Sequence, residues 1–174
     1  MRDDSNPGEA TNRASAPGAK ELLAASQPGA VDIYQGALDI IGNLFWSRDW
    51  EPLRDHILVP NRITALDTER VVHSLDEWIH LAKAARESFV RLGATEYHRL
   101  CRSAWFEDED CRRISGVHET FILRGSTLVM PPHQGFLMLW QCDDGRWRSD
   151  GLRADKRDTV LPTIHADRIT PPKL

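Results

Sequence analysis

The chain of 174 residues has few cysteines and no recognisable metal or cofactor motif. Its three cysteines, Cys101, Cys111 and Cys142, stand far apart, and none belongs to a Cys-x-x-Cys pair. This odd number and spacing argue against a disulfide framework and against a zinc site. We therefore predict reduced, buried thiols in a cytoplasmic protein, and we expect neither a metal nor a cofactor.

Long apolar runs and an excess of positive charge are also missing. No apolar run approaches the roughly 20 residues that span a bilayer, and the start of the chain lacks the apolar core of a signal peptide. The net charge of −4 and the pI near 6.0 provide no global attraction to nucleic acid or anionic lipid. We expect no nucleic-acid partner and no membrane partner. The composition, 41% hydrophobic and 28% charged, is typical of one globular domain.

The two ends of the chain differ in composition from the middle. Residues 1–30 repeat the pattern Ser-x-Pro-Gly three times, beginning at Ser5, Ser15 and Ser26. Each Pro-Gly favours a turn, and little apolar surface is present, so we predict a disordered N-terminal tail. Residues 156–174 predict an irregular C-terminal extension, in which Val160, Leu161 and Ile164 could pack against the domain. The domain itself is predicted over residues 31–155.

Three helices are predicted before the main run of strands. Apolar residues recur at helical spacing from Val31 to Trp46. A short second helix contains Trp50, Leu53 and Ile57, and Pro60 ends it. The third helix opens at a capping box, Ser74-Leu75-Asp76-Glu77, and ends at Gly93.

The remaining sequence has the alternating pattern of strands. Two short strands, Arg62–Leu66 and Arg70–His73, precede the third helix. Four longer strands follow it, over Thr95–Phe106, Arg112–Leu123, Leu128–Gln141 and Arg146–Ala154. Pro131 and Pro132 interrupt the third of these, which suggests a bulge or an edge. Within Phe136–Trp140 both faces are apolar, so we expect helices on one side and a second subunit on the other. The fold class is α+β.

This order of elements, with Gly145-Arg146-Trp147-Arg148 opening the last strand, resembles the NTF2-like superfamily and within it the SnoaL-like group. The resemblance implies a cone-shaped α+β barrel with three helices packed on a curved antiparallel sheet, commonly a homodimer. Members include steroid isomerases, polyketide cyclases, dehydratases, dioxygenase small subunits and non-catalytic binding proteins.

The resemblance implies a pocket between the helices and the sheet. We expect it to bind a small, largely apolar molecule, with acid–base isomerase, cyclase or dehydratase activity as one option. The alternative is a non-catalytic homodimeric interaction or scaffold protein.

Catalytic candidates come from strand pairing. If the acidic turn Glu107–Asp110 is a two- or four-residue loop, His98 faces Glu119 and Arg99 faces His118. A carboxylate beside a histidine suits a general base, so His98, Glu119 and His118 are the catalytic candidates. The alternative is a surface pair or a dimer contact. A three-residue loop would break the pairing.

Aromatic residues supply the ligand-binding candidates Tyr34, Trp50, Trp78 and Trp105. Tyr34 could direct its phenol into the cone towards a ligand carbonyl, or it could be a core aromatic, and the tryptophans could likewise be core or interface residues. A two-residue turn at Gly125-Ser126 would place His133 opposite His118. Two histidines without a defined carboxylate make a weak metal site, and we predict none.

Overall fold

The computed structural model describes residues 26–159 and residue 164. These residues contain three helices: α1 (Pro28–Ser47), α2 (Trp50–Arg54) and α3 (Leu75–Arg91). The same residues form seven strands: β1 (Ile57–Thr64), β2 (Glu69–Val72), β3 (Glu96–Phe106), β4 (Arg113–Arg124), β5 (Thr127–Leu128), β6 (His133–Gln141) and β7 (Trp147–Ala154). The tail predicted over residues 1–25, and the extension apart from residues 156–159 and 164, lie outside the described residues.

Helix α1 begins three residues before the predicted start. Pro28 occupies the first turn, where its fixed φ suits the helix. Backbone N–H groups in the first turn have no intrahelical acceptor, so the lack of an N–H in proline costs no hydrogen bond there. Ala30 is fully buried, and the Gln27 N–H donates to the carbonyl of Ala104 at 2.8 Å. Residues 26–30 therefore belong to the folded domain, and the predicted boundary of the tail was wrong there.

Helix α3 has the predicted ends. Oγ of Ser74 accepts the backbone N–H of Glu77 at 3.2 Å, as a helix N-cap requires. The carboxylate of Glu77 accepts from the N–H of His73 at 3.2 Å, one residue earlier than the capping box predicts. Gly93 follows the helix at φ +85°, a conformation that glycine adopts without strain.

The strands form one sheet in the order β2-β1-β7-β6-β4-β3, with β5 paired to β4. Among the described strands, all pairs are antiparallel except β1 with β7, so the sheet is mixed. Its two end strands, β2 and β3, do not pair with each other, so these strands do not close into a barrel. The α+β class with three helices on one sheet is confirmed.

The second helix stops at Arg54, and the prediction that it included Ile57 was wrong. Pro60 instead lies in β1, where pairing with β7 is interrupted and no ladder N–H is needed.

The core lies between the helices and one face of the sheet, here called the inner face. Leu137 and Leu139 of β6 are buried there against α1, whereas Phe136, Met138 and Trp140 lie half-buried on the opposite, outer face. Both faces of this strand are apolar, as the sequence indicates.

The described part of the C-terminal extension also contributes to the core. Ile164 is fully buried against Val72 and Leu81, so the predicted packing of this residue is confirmed. Among the described residues, no helix is both long and apolar enough to cross a bilayer.

Candidate functional site

A cavity of about 110 Å³ lies between the helices and the inner face of the sheet. Most of its wall is aliphatic or aromatic and comes from α1, α3 and the strands. The polar side chains in the wall are those of Asn61, Arg99 and Ser149, together with the polar ends of Trp78 and Tyr97. Among the residues that the structure describes, no Asp, Glu or His lines the cavity.

Asn61 ties three elements together at one side of the cavity. Its amide N–H₂ donates to the carbonyls of Ser149 at 3.0 Å and Leu58 at 3.2 Å, and its oxygen accepts the indole N–H of Trp78 at 3.3 Å. Ser149 in turn donates to the carbonyl of Gly151 at 3.1 Å. These buried groups satisfy one another, so this side of the wall is polar but internally bonded. Trp78, one of the predicted ligand-binding residues, lines the cavity.

Arg99 is the charged group of the wall. It projects inward from β3, is 9% exposed, and donates from Nη2 to the carbonyl of Leu38 at 3.1 Å. Its guanidinium carbon lies 5.8 Å from the ring centre of Tyr97, and its buried Nε has no hydrogen-bond partner. No carboxylate within residues 26–159 forms an ion pair with it. Arginine is rarely buried without a partner, so this site is unusual.

A second buried polar group, Tyr34 with His118, lies beside the cavity. Oη of Tyr34 donates to the carbonyl of Gly116 at 2.7 Å, accepts the N–H of Leu137 at 3.1 Å, and is 2.9 Å from Nδ1 of His118. A phenol has one proton, and the carbonyl can only accept, so Nδ1 of His118 must be the donor in its own bond. The Nε2 atom of His118 is then the unprotonated nitrogen.

Burial keeps both rings of this pair neutral. Desolvation raises the pKa of Tyr34 far above its ordinary value. Desolvation, followed by the positive charge of Arg99 and by His133, lowers the pKa of His118 well below 6.5. Nε2 of His118 points at Gly135 on β6, where an added Cβ would come within 2.3 Å of it. Glycine is therefore required at position 135 to leave room for the ring.

The predicted pairing of His98 with Glu119 was wrong. His98 is opposite Phe121, and Leu100 is opposite Glu119. The connection after Phe106 is three residues longer than predicted, and a bulge between Cys101 and Ser103 shifts the register back by one. The side chains of His98 and Glu119 both lie on the outer face. His98 contacts Glu96 at 3.2 Å, and the carboxylate of Glu119 accepts from Nε of Arg102 at 2.9 Å.

The predicted partners of His118 were also wrong. Cys101 and Gly135, and not Arg99 and His133, lie directly opposite it. His133 instead pairs with Thr120, two positions further along, because Val129 to Pro132 separate β5 from β6. Burial, with the charge of Lys156, lowers the pKa of His133 to about 4. Within the described residues, no three His, Cys, Asp or Glu side chains are grouped so as to hold a metal.

The other aromatic candidates, Tyr34, Trp50 and Trp105, do not line the cavity. Tyr34 is fully buried in the core between α1 and the sheet, and its hydroxyl is bonded as described above. Trp50 packs against Phe45, with ring centres 6.4 Å apart. Trp105 lies on the outer face 6.4 Å from the ring of Phe136, and its indole N–H donates to Glu107 at 3.0 Å.

Arg99 is the functional candidate that the sequence predictions missed. A usable signal was present, because strand alternation places Arg99 on the same face as Tyr97 and Cys101.

No protein-family model matches the chain, and no curated protein matches it. Solved structures do match. One is an NTF2-like protein of unknown function from Shewanella oneidensis, 12% identical, which covers 72% of this chain and 98% of its own, at a TM-score of 0.56.

Two further structures match at similar levels. Aln2 from a Streptomyces species is 16% identical over 78% of this chain and 96% of its own, at a TM-score of 0.59. A ketosteroid isomerase-like protein from Erwinia carotovora atroseptica is 12% identical. The match covers 75% of this chain and 98% of that protein, at a TM-score of 0.53. Identities this low carry the fold and not the activity. This chain has the NTF2-like fold.

Proposed function

We propose that this protein binds a small, largely apolar molecule in the cavity between its helices and its sheet. The observation that carries the proposal is the cavity of about 110 Å³ with a mainly apolar wall. An apolar cavity of roughly 150 Å³ in another protein binds benzene, so the ligand here is of about that size. Enclosed apolar pockets with a few polar groups are the usual sites of small ligands.

Binding without turnover is what the geometry favours over acid–base catalysis. General acid–base chemistry needs a titratable group within hydrogen-bond reach of the ligand. Within the described part of the chain, neither a carboxylate nor a histidine lines the cavity. Of the three catalytic candidates, His118 alone lies on the inner face, and its Nδ1–H is bonded to Tyr34. An isomerase, cyclase or dehydratase activity through His118 would require the ligand to reach Nε2.

The SnoaL-like assignment and the cytoplasmic location are also proposals. The order of the elements and the turn before Trp147 support the former. The three free cysteines support the latter, since such thiols persist in a reducing compartment.

Benzene is a suitable probe for the cavity. Saturating benzene should raise the thermal unfolding midpoint, because a ligand that binds only the folded state stabilises it. Ala85 is buried and lines the cavity, so Ala85→Leu should fill it and abolish the shift. Ala84, the preceding residue on α3, does not line it, and Ala84→Leu is the matched control that should retain the shift. Absence of a benzene shift in the wild-type protein would contradict the proposal.

The second candidate is a homodimeric interaction protein. The observation that favours it is the half-buried apolar row Phe136, Met138 and Trp140 on the outer face of the sheet. The guanidinium carbon of Arg153 lies 5.0 Å from the ring centre of Phe136, and that of Arg113 lies 4.3 Å from the ring centre of Trp140. Extended apolar surface of this kind is typical of protein interfaces.

Light scattering tests the dimer. We expect twice the chain mass of 19.8 kDa at micromolar concentration. Met138→Glu places a charge in the middle of the row and should give the monomer mass, whereas Gln134→Glu, at an exposed position on the same strand, should not. A wild-type monomer would contradict this candidate and leave the cavity proposal standing.

A further inference from the structure

We infer that the ligand of the cavity is a small organic carboxylate, whose anionic group binds the guanidinium of Arg99. This inference rests on the proposed function and specifies the chemistry of its ligand. Three independent features of Arg99 carry it: its burial in the cavity wall, its unused donors, and the absence of a counter-charge among the described residues.

The guanidinium has more donors than the fold satisfies. It carries five N–H groups, and the hydrogen bond from Nη2 to the carbonyl of Leu38 is the one that the described residues provide. Nε is buried and has no partner. A buried donor without an acceptor is costly, and a buried charge without a counter-charge costs more. Arg99 lines the cavity, so a negatively charged ligand that accepts from its guanidinium would offset the cost of the unpaired charge.

The ionisable neighbours of Arg99 do not neutralise it. Burial raises the pKa of Tyr34 and raises that of Cys101 to about 11, so neither is an anion at neutral pH. His118 is held neutral in the same interior. On α1, Gly42 presents no side chain to the guanidinium, and a Cβ there would lie 3.7 Å from Nη2. The positive charge of Arg99 therefore stands alone in this part of the core, as far as the described residues show.

A carboxylate fits this site better than other anions. The planar guanidinium presents parallel N–H groups that match the two oxygens of a carboxylate. One arginine balances a single negative charge, whereas a phosphate dianion would be left with excess charge in an apolar cavity. The aliphatic wall accommodates a hydrocarbon body, and a volume near 110 Å³ limits that body to a few carbons.

Isobutyrate and isobutyramide are matched probes. They have nearly the same shape as each other and differ in charge. Each has six heavy atoms, as benzene does. In an NMR titration at pH 7.5 we expect isobutyrate to bind at least tenfold more tightly than isobutyramide. Binding should also shift the Nε–H resonance of Arg99, a readout that needs no variant.

Variants locate the effect. Arg99→Met should weaken isobutyrate binding at least tenfold and leave the benzene shift in place. Arg99→Lys keeps the positive charge but loses the parallel N–H groups of the guanidinium. Its isobutyrate affinity should fall between those of the wild-type protein and Arg99→Met. Arg102→Met is the control, because Arg102 lies on the same strand but on the outer face, bonded to Glu119.

Three outcomes would overturn the inference: equal binding of the two probes, an unmoved Arg99 resonance, or full isobutyrate affinity in a folded Arg99→Met variant. If benzene binds while these occur, the carboxylate inference fails and the proposed function stands. If neither benzene nor isobutyrate binds, both fail. If Arg99→Met does not fold, the probe comparison and the Nε–H resonance in the wild-type protein decide the question.

Discussion

Mild acid should destabilise this fold, because two histidines are held neutral inside it. Burial and the charge of Arg99 keep the pKa of His118 well below 6.5, and burial with Lys156 keeps that of His133 at about 4. In the unfolded chain both titrate near 6.5. Below that pH the unfolded state binds more protons than the folded state, so the free energy of unfolding falls as the pH falls.

The size of the effect follows from the linkage relation. A group that is protonated in the unfolded state but not in the folded state lowers the free energy of unfolding by about 1.4 kcal/mol for each pH unit below 6.5. Going from pH 7.5 to 5.5 should therefore remove about 1.4 kcal/mol for each histidine, and about 2.7 kcal/mol for both. Urea unfolding at the two pH values, with the slope fixed, measures this difference.

Variants separate the histidines from the other ionisable groups. His118→Asn keeps a side-chain N–H at the Nδ1 position for Tyr34 but cannot be protonated, so it should remove about half of the pH difference. His133→Gln should remove a similar amount. His80→Gln, at an exposed position on α3, is the matched control and should retain the wild-type difference. If His118→Asn shows the same pH difference as the wild-type protein, the reasoning about its burial is refuted.

Three further predictions concern stability and are measured by urea unfolding. Gly135→Ala should cost about 1–3 kcal/mol, because its Cβ would overlap the ring of His118; the cost should shrink in a His118→Ala background, and equal costs in both would contradict the contact. Tyr34→Phe should cost about 2 kcal/mol by removing the hydroxyl from three buried partners, whereas an unchanged midpoint would mean that those groups find other partners. Ser74→Ala should cost about 1 kcal/mol, since Ser74 caps α3 at the N–H of Glu77; no loss would show that the cap contributes little.

Local signals made the helices predictable. The cap at Ser74 and the glycine at position 93 each fix a helix end through bonds within a few residues, and both ends are where the sequence indicates. The start of α1 was missed because Pro28 was interpreted as a turn residue. The same proline also suits a first helical turn, and the burial of Ala30 favours the helix.

The faces of the strands were predictable, but their register was not. Alternation has a period of two, and His98 and Glu119 do share one face while Arg99 and His118 share the other. The pairing nevertheless differs by two residues at His98, because the connection after Phe106 is three residues longer than predicted and a bulge between Cys101 and Ser103 shifts the register back by one. A difference of two leaves the faces of His98 and Glu119 unchanged, so alternation around these residues does not detect it.

The glycines at positions 116 and 135 argue that the buried pair is a structural support for the cavity. A Cβ at Gly116 would come within 2.6 Å of the ring of Tyr34, and one at Gly135 within 2.3 Å of His118. Two neighbouring strands thus leave space for the two rings. The hydroxyl of Tyr34, which is bonded to His118, also accepts the backbone N–H of Leu137. Leu137 lines the cavity together with Arg99. Rings packed this tightly fix the position of that wall before a ligand arrives, and a preformed wall reduces the entropy lost on binding.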